Sequence, residues 1–465
     1  MSKVCAIPQS PQQLIYTLYK DIAMAELMAY ILNEYSLMIR HVSNQDNFSV
    51  EINNIRNNYE NITENALDSL IKALRLATRG VWHCDPEKHI YKVTYDEVTR
   101  LLQGYVENEV NLNNEDSCSK TCPDYQNTTR TGCFEDEFCS KQPQCSGKIY
   151  DCQFFDSDVS VCQSPVNSNR RYEYIEYSNG NTLGEYNGCW RDVDKVESWN
   201  RWIFTKCSYC FCLCDELGPK SDRYFNLRET ISDVKANKVV TGVRFIKKNR
   251  VFHIQIQQGQ LLPRGAINES TLDWIPVDDY KINDTTVMDG VDYHTLTYTS
   301  RSLDLTEIKK SDDPSFVVTG VRLGSWFGLN LEVHFSKFDF VKGELVEPEV
   351  NGVWETNNIY ARERVNPDNA DLPTRAKKKL FETLVPKSDQ YNQFVEFVNT
   401  GVDKDAAQAT VPFIDIREVV SIPPVPLGGI GLSYKGKEGY GGFVLPEIIN
   451  YDILPYIPVP KTPSK

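Results

Sequence analysis

Four cysteines in eight residues, Cys207-Ser-Tyr-Cys210-Phe-Cys212-Leu-Cys214, form the densest set of reactive side chains in the sequence. As thiolates they could hold zinc or copper; oxidised, they could only cross-link the chain. Zinc sites favour two CxxC units a finger-sized loop apart, with histidine as the other common ligand. Here the eight preceding cysteines, Cys118 to Cys189, fall at spacings of 4, 11, 6, 6, 7, 10 and 27, and no histidine lies between 108 and 215. Disulfides are therefore expected for Cys118, Cys122, Cys133, Cys139, Cys145, Cys152, Cys162, Cys189, Cys207, Cys210, Cys212 and Cys214, an even set that can close on itself. Cys5 and Cys84 remain as a seventh pair. The spacing leaves connectivity open.

Other chemistry is weaker. Gly431-Leu-Ser-Tyr-Lys-Gly436-Lys437 spells a GxxxxGK phosphate loop, but Glu438 stands where a magnesium-holding Ser or Thr is needed. Gly439, Gly441 and Gly442 also forbid the helix that must follow. A glycine-rich loop fits better, and Gly428, Gly429, Tyr434, Tyr440 and Gly441 are the expected contacts of a small polar ligand such as a sugar; a plain tight turn is the competing reading. His83-Cys84-Asp85 and His89 suggest a metal or Cys–His pair by spelling alone. GxSxG, HExxH and EF-hand patterns are absent. No catalytic residue, metal site or cofactor is expected.

Such cysteine density needs an oxidising compartment. The net charge of −14 (50 basic against 64 acidic residues) opposes nucleic-acid binding and anionic membranes. The one short basic run, Arg375, Lys377, Lys378 and Lys379, reads as a solvated helix face. No stretch reads as a transmembrane segment, and Met1–Gln12 lacks the apolar core of a signal peptide, so a leader is expected to be missing or removed. Sequons at Asn47, Asn61, Asn127, Asn268 and Asn283 are candidate glycosylation sites.

The elements that would position these groups divide into four. Residues 1–107 read as a helical domain. Ile15, Leu18, Ile22, Ala25, Ala29, Leu32 and Ile39 mark a first helix over 14–40 whose second apolar stripe predicts packing inside a bundle or against a partner; a buried core is the favoured reading and a lipid-binding or dimerising face the alternative. A second helix spans about 50–78, and a capping box at Thr94 and Glu97 predicts a third. Residues 108–215 are the disulfide module, with Trp190, Trp199 and Trp202 as its small core. Residues 216–446 read as an all-β repeat domain: Val239-Val-Thr-Gly-Val-Arg-Phe245 recurs as Val317-Val-Thr-Gly-Val-Arg-Leu323 78 positions later, and more weakly as Val425 to Leu432. Three equivalent sheets about a pseudo-axis are expected, with a helical insertion near 346–415 (Thr374–Leu384 and Tyr391–Val398). The tail, 447–465, is rich in proline and expected to run extended over the surface.

Over about 10 to 450 the helical N-terminus, the series Cys133…Cys139…Cys145…Cys152…Cys162, the VVTGVR repeat, and the stretches Asp289–Arg301 and Pro423–Lys435 resemble an uncharacterised group of secreted insect proteins with a domain of unknown function. That resemblance implies an extracellular protein and brings no catalytic residues. The repeats are also similar to the β-prism of jacalin-like lectins and vitelline outer-layer proteins, a likeness of fold from which function does not follow. The expected class is thus α+β multidomain, and the expected task extracellular binding or structure, with glycan or matrix as partner. A secreted hydrolase, marked by converging carboxylates or a Ser–His pair, and an intracellular metal-thiolate protein are the alternatives.

Overall fold

In the computed structural model the described residues are 7–43, 48–115, 117–133, 136–155, 158–202, 205–310, 313–326, 328–357, 361–376 and 392–458. Two long antiparallel helices lead: α1 (Pro11–Val42), started by Ser10, whose hydroxyl accepts from Gln13 N, and α2 (Ser49–Leu76). Among the described residues of α1 only Gln12 is buried, so the double stripe does not form a core as the sequence suggested. α1 is long and apolar enough to cross a bilayer by length and composition alone, which the reading of the sequence did not find. The predicted third helix does not form. Thr94 Oγ1 instead accepts from Ile90 N at 2.8 Å, and Tyr95–Asp96 pairs as a strand with Ile414–Asp415. Long-range pairing overrides the local capping signal.

The disulfide module is built on β1 (Gln103–Asn108), β2 (Lys148–Phe155) and β3 (Tyr209–Asp215), with β3 in the middle and antiparallel to both. Alternation along a strand puts Cys210, Cys212 and Cys214 on one face of β3. They bond Cys122, Cys152 and Cys145, while Cys118–Cys207, Cys133–Cys139 and Cys162–Cys189 complete six bridges. The sulfur layer, with Tyr105, Tyr125 and Ile149, is one core; Phe211, Tyr209, Val161, Tyr172 and Ile175 form another on the far side. Trp190 belongs to neither and is 57% exposed, and Trp199 is half-buried. The side chain of Trp202 lies outside the described residues. Cys84 is also disulfide-bonded; its expected partner, Cys5, lies outside the described residues.

Three hairpins carry the remainder. The strands run β4 (Tyr224–Asn226), β5 (Thr230–Ile231), β6 (Lys238–Lys248), β7 (Val251–Leu262), β8 (Ser302–Leu305), β9 (Glu307–Lys309), β10 (Phe316–Gly324), β11 (Asn330–Asp339), β12 (Phe413–Asp415), β13 (Val419–Val420), β14 (Leu427–Lys435) and β15 (Phe443–Asn450). The hairpins β6–β7, β10–β11 and β14–β15 share one irregularity: register slips between Val240 and Gly242, Val318 and Gly320, and Leu427 and Gly429. Opposite each glycine lies a short strand from another repeat: Val420 on Gly242, Ile231 on Gly320, Lys309 on Gly429. Each second hairpin strand has a parallel neighbour from its own repeat, through Tyr224–Val251, Leu303–Leu329 and Phe413–Phe443. The short strands are thus donated cyclically, first repeat to second, second to third, third to first. Val240, Ile256, Val318, Val333, Ile430 and Ile448 meet in one apolar core.

Two further expectations are corrected. Within Tyr391–Val398, Gln393–Glu396 is a strand antiparallel to β8, not a helix; of Thr374–Leu384 only residues 374–376 are described, at the end of the single turn Pro373–Arg375, and Lys377, Lys378 and Lys379 lie outside the described residues. The tail does not begin at 447, because β15 is buried throughout and carries Pro446 opposite Leu432. The first 107 residues also reach into the C-terminal sheet, Gly80–Val81 pairing with Ile448–Ile449.

Candidate functional site

The five residues predicted from the third repeat are dispersed through packed structure. Gly428 and Gly429 lie at the start of fully buried β14, where an added Cβ would stand 3.0 Å from Tyr451 Cα and 2.6 Å from Ile308 O, respectively. Tyr434 is buried and fills the space beside Gly436 and Gly442, while Gly441 is pressed on Val411. Tyr440 bridges to Asp371. These glycines permit close strand approach rather than open a ligand loop.

A cleft of about 430 Å³ opens elsewhere, lined by Pro165, Arg170, Glu173, Glu185, Asn187, Gly188, Trp190 and Arg375. Most of it comes from the disulfide module. Tyr172–Tyr177 pairs with Val159–Gln163, and the chain then returns through Gly184 and Gly188, both at positive φ (+85° and +79°), which only glycine adopts without strain. Cys162–Cys189 bolts that return to the sheet one residue before Trp190. The indole N–H donates to Gln163 O at 2.6 Å, and Arg191 stacks on the ring at 5.7 Å. The exposed Trp190 is therefore held at three points.

Opposite stands a fixed charge array. Arg170 Nη1 donates to both oxygens of Asp405, at 2.9 and 3.0 Å, and Asp405 also accepts from Thr400 Oγ1 at 2.9 Å. Arg375 reaches Asp371 at 2.9 Å, Glu185 at 3.2 Å and Asp405 at 3.5 Å, and Glu173 lies 3.9 Å from Arg170. Arg170 and Arg375, the two cations of the lining, are thus each paired with carboxylates: Glu173 and Glu185 line the cleft with them, while Asp405 and Asp371 lie outside its lining. Glu173 and Glu185 keep exposed oxygens able to accept hydroxyl protons. Near the pair, burial first and Asp96 second push the Glu97 carboxyl up to about 7; Lys247, Arg170 and Asp405 also act on it.

A second cavity, about 470 Å³, lies between the foot of α1 and the β-repeats, lined among others by Tyr16, Lys20, Arg264, Ile267, Val425 and Tyr451. Among the described residues Ser300 Oγ lies 3.2 Å from His294 Nε2, but neither cavity is lined by this Ser–His pair. Asp289, nearby, spends Oδ1 on Thr295 N at 3.1 Å. Cys84 is bonded, and His89 stacks on Phe443 at 4.2 Å with its basicity lowered to about 4 by burial, so the His83–Cys84–Asp85 group forms no thiolate site. Sulfur and carboxyl atoms converge at Glu109, Cys122 and Cys210 and at Cys145, Cys214 and Glu216, but their sulfurs are tied up in disulfides. Of the sequons, Asn61, Asn127 and Asn283 are exposed, Asn268 is half-buried, and Asn47 lies outside the described residues.

No periodicity marks Arg170, Trp190, Arg375 and Asp405; the one local cue to this cleft is Trp190 following Cys189 in a glycine-bearing loop. Residues 2–256 match a family described as Domain of unknown function (DUF4803), a span holding the helical pair, the whole disulfide module and the start of the first hairpin. No curated protein matches the sequence.

Proposed function

The chain belongs to the DUF4803 family, and from that footing we propose that it is a secreted binding protein whose disulfide module presents the Trp190 cleft to a neutral saccharide. Six disulfides among the described residues, and a bonded Cys84, speak for an oxidising compartment; secretion, and glycosylation at exposed Asn61, Asn127 and Asn283, extend that.

The observation that carries the reading is the pairing of an exposed, rigidly held indole with a fixed array of hydrogen-bonding groups in one cleft. A sugar ring offers an apolar C–H face for stacking and hydroxyls for planar polar partners, so it uses both halves of the cleft. Both arginines of the lining are already paired with carboxylates, so a sulfated or uronic sugar finds no uncommitted cation there and neutral sugars are favoured. The three cyclically linked hairpins act as a scaffold, and we assign them a prism-like, pseudo-threefold arrangement on the strength of the shared bulges and strand exchange.

The hydrolase alternative draws on Glu173 and Glu185 sharing the cleft. Glycosidic cleavage needs one carboxyl held protonated beside the bond, and the raised carboxyl of Glu97 does not line the cleft. Binding of the oxidised full-length protein to an array of neutral, sialylated and sulfated glycans is the test. Retention on neutral glycans is expected; silence on them, or selective binding of sulfated ones, overturns the reading.

A further inference from the structure

α1 stands almost uncovered. Eleven of its large apolar side chains are 42–81% exposed. α2 serves one side only, with Tyr30 stacked on Tyr59 at 4.6 Å and Glu34 paired with Arg56 at 2.7 Å. From Leu18 through Ile22, Ala25, Ala29 and Leu32 to Ile39 runs a second line, spaced alternately four and three (Ser36 fills the remaining place), and every member is exposed. Met24, Met28, Ile31, Tyr35, Met38 and Val42 make a third, also exposed and with the same spacing. Alternation of four and three is the seam of a left-handed coiled coil. An offset of one residue rotates a line by about 100°, so the two exposed seams merge into one broad apolar face.

We propose that α1 of a second copy of this chain covers that face, joining hairpin to hairpin in a bundle with the α1 helices inside and the α2 helices outside. α2 suits the outer place because its buried residues, Leu70 and Leu74, lie on one side and the rest of its surface is rich in Asn and Glu. Ala25 and Ala29 at the centre of the seam let two backbones approach closely. Eleven exposed apolar side chains on one helix make a face beyond the ~300–600 Å² of the largest patch on an ordinary monomer and on the order of the ~800 Å² per partner of a stable interface. A bilayer suits the face less well. Lys20, Asp21, Glu26 and Glu34 are spread along α1, and the polar α2 bound to it would have to enter too.

Sedimentation equilibrium of the oxidised full-length protein at about 1–50 μM decides the matter. A mass of at least twice 53.3 kDa is expected. The double variant Leu18→Glu/Leu32→Glu should weaken association at least tenfold with unchanged far-UV circular dichroism, since both side chains are exposed in one copy. Val166→Glu, at an exposed position outside the helices, should leave the mass unchanged. A monomer across that range, or a double variant that still associates, overturns the assignment. So does a wild type that stays monomeric yet sediments with phosphatidylcholine vesicles, which would give the face to lipid.

Discussion

Arg170 Nη1 grips both carboxylate oxygens of Asp405 across 235 positions of sequence, and the Asp405 side chain is fully enclosed. This pair joins the disulfide module to the C-terminal half at the edge of the Trp190 cleft. It also turns Arg170 toward Glu173, so one contact fixes both the seam between two parts of the chain and one wall of the site.

Asp405→Ala strands the arginine and should destabilise the protein by about 3 kcal/mol, the usual scale for breaking an enclosed ion pair. Urea unfolding of the two single variants and Arg170→Ala/Asp405→Ala measures the coupling. The double variant should recover part of the loss.

Glu97 makes stability depend on pH with a definite sign. Its folded value, about 7, lies above the ordinary 4.5. The stabilising contribution is therefore complete below about 4.5 and lost as pH rises through about 7. Against Glu97→Gln, the wild type should lose on the order of 2 kcal/mol between about pH 4.5 and pH 8. Guanidinium midpoints at the two pH values for both proteins check this; parallel profiles would contradict it.

Gly242→Ala should cost about 1–3 kcal/mol through overpacking, because a Cβ would stand 2.5 Å from Val420 Cγ1 and 3.0 Å from Val419 O. Gly320→Ala meets Ile231 and Thr230 O at 3.0 Å and should behave alike, the two sites being equivalent in the repeat. Gly218→Ala, with open space around it, should change thermal midpoint little.

Replacing Cys162 and Cys189 together by serine opens a loop of 27 residues and should cost about 3–4 kcal/mol by the loop-entropy estimate. It should also weaken saccharide binding at least tenfold, since the same bridge holds the Trp190 turn. Calorimetric melting and titration of the same preparation separate the two effects. Loss of stability with intact affinity would show that the turn holds itself.

What the sequence made legible is what short-range pattern encodes. Twelve cysteines without histidine announce bridges, but pairing at separations up to 89 residues depends on which strands meet β3. The identity of Val239–Arg244 and Val317–Arg322 is legible in the sequence, whereas the role of Gly429 shows only where Ile308 O stands 2.6 Å from the place of its Cβ. Thr94 and Glu97 imitate a helix start, yet Tyr95 and Asp96 gain more as an edge on Ile414–Asp415. The cleft was hidden because Arg170, Trp190, Arg375 and Asp405 come from distant turns with ordinary neighbours. The exposure of α1 was hidden for another reason: an apolar stripe states that a helix needs covering, not which molecule covers it.

The most direct measurement is isothermal titration of the oxidised protein with the best neutral saccharide from the array, comparing wild type, Trp190→Ala and Trp326→Ala. Trp326 is 82% exposed and outside the cleft. Loss of one stacking contact should weaken binding at least tenfold in Trp190→Ala, about 1.4 kcal/mol or more, with Trp326→Ala matching wild type. Equal affinity for all three would contradict the cleft as the binding site.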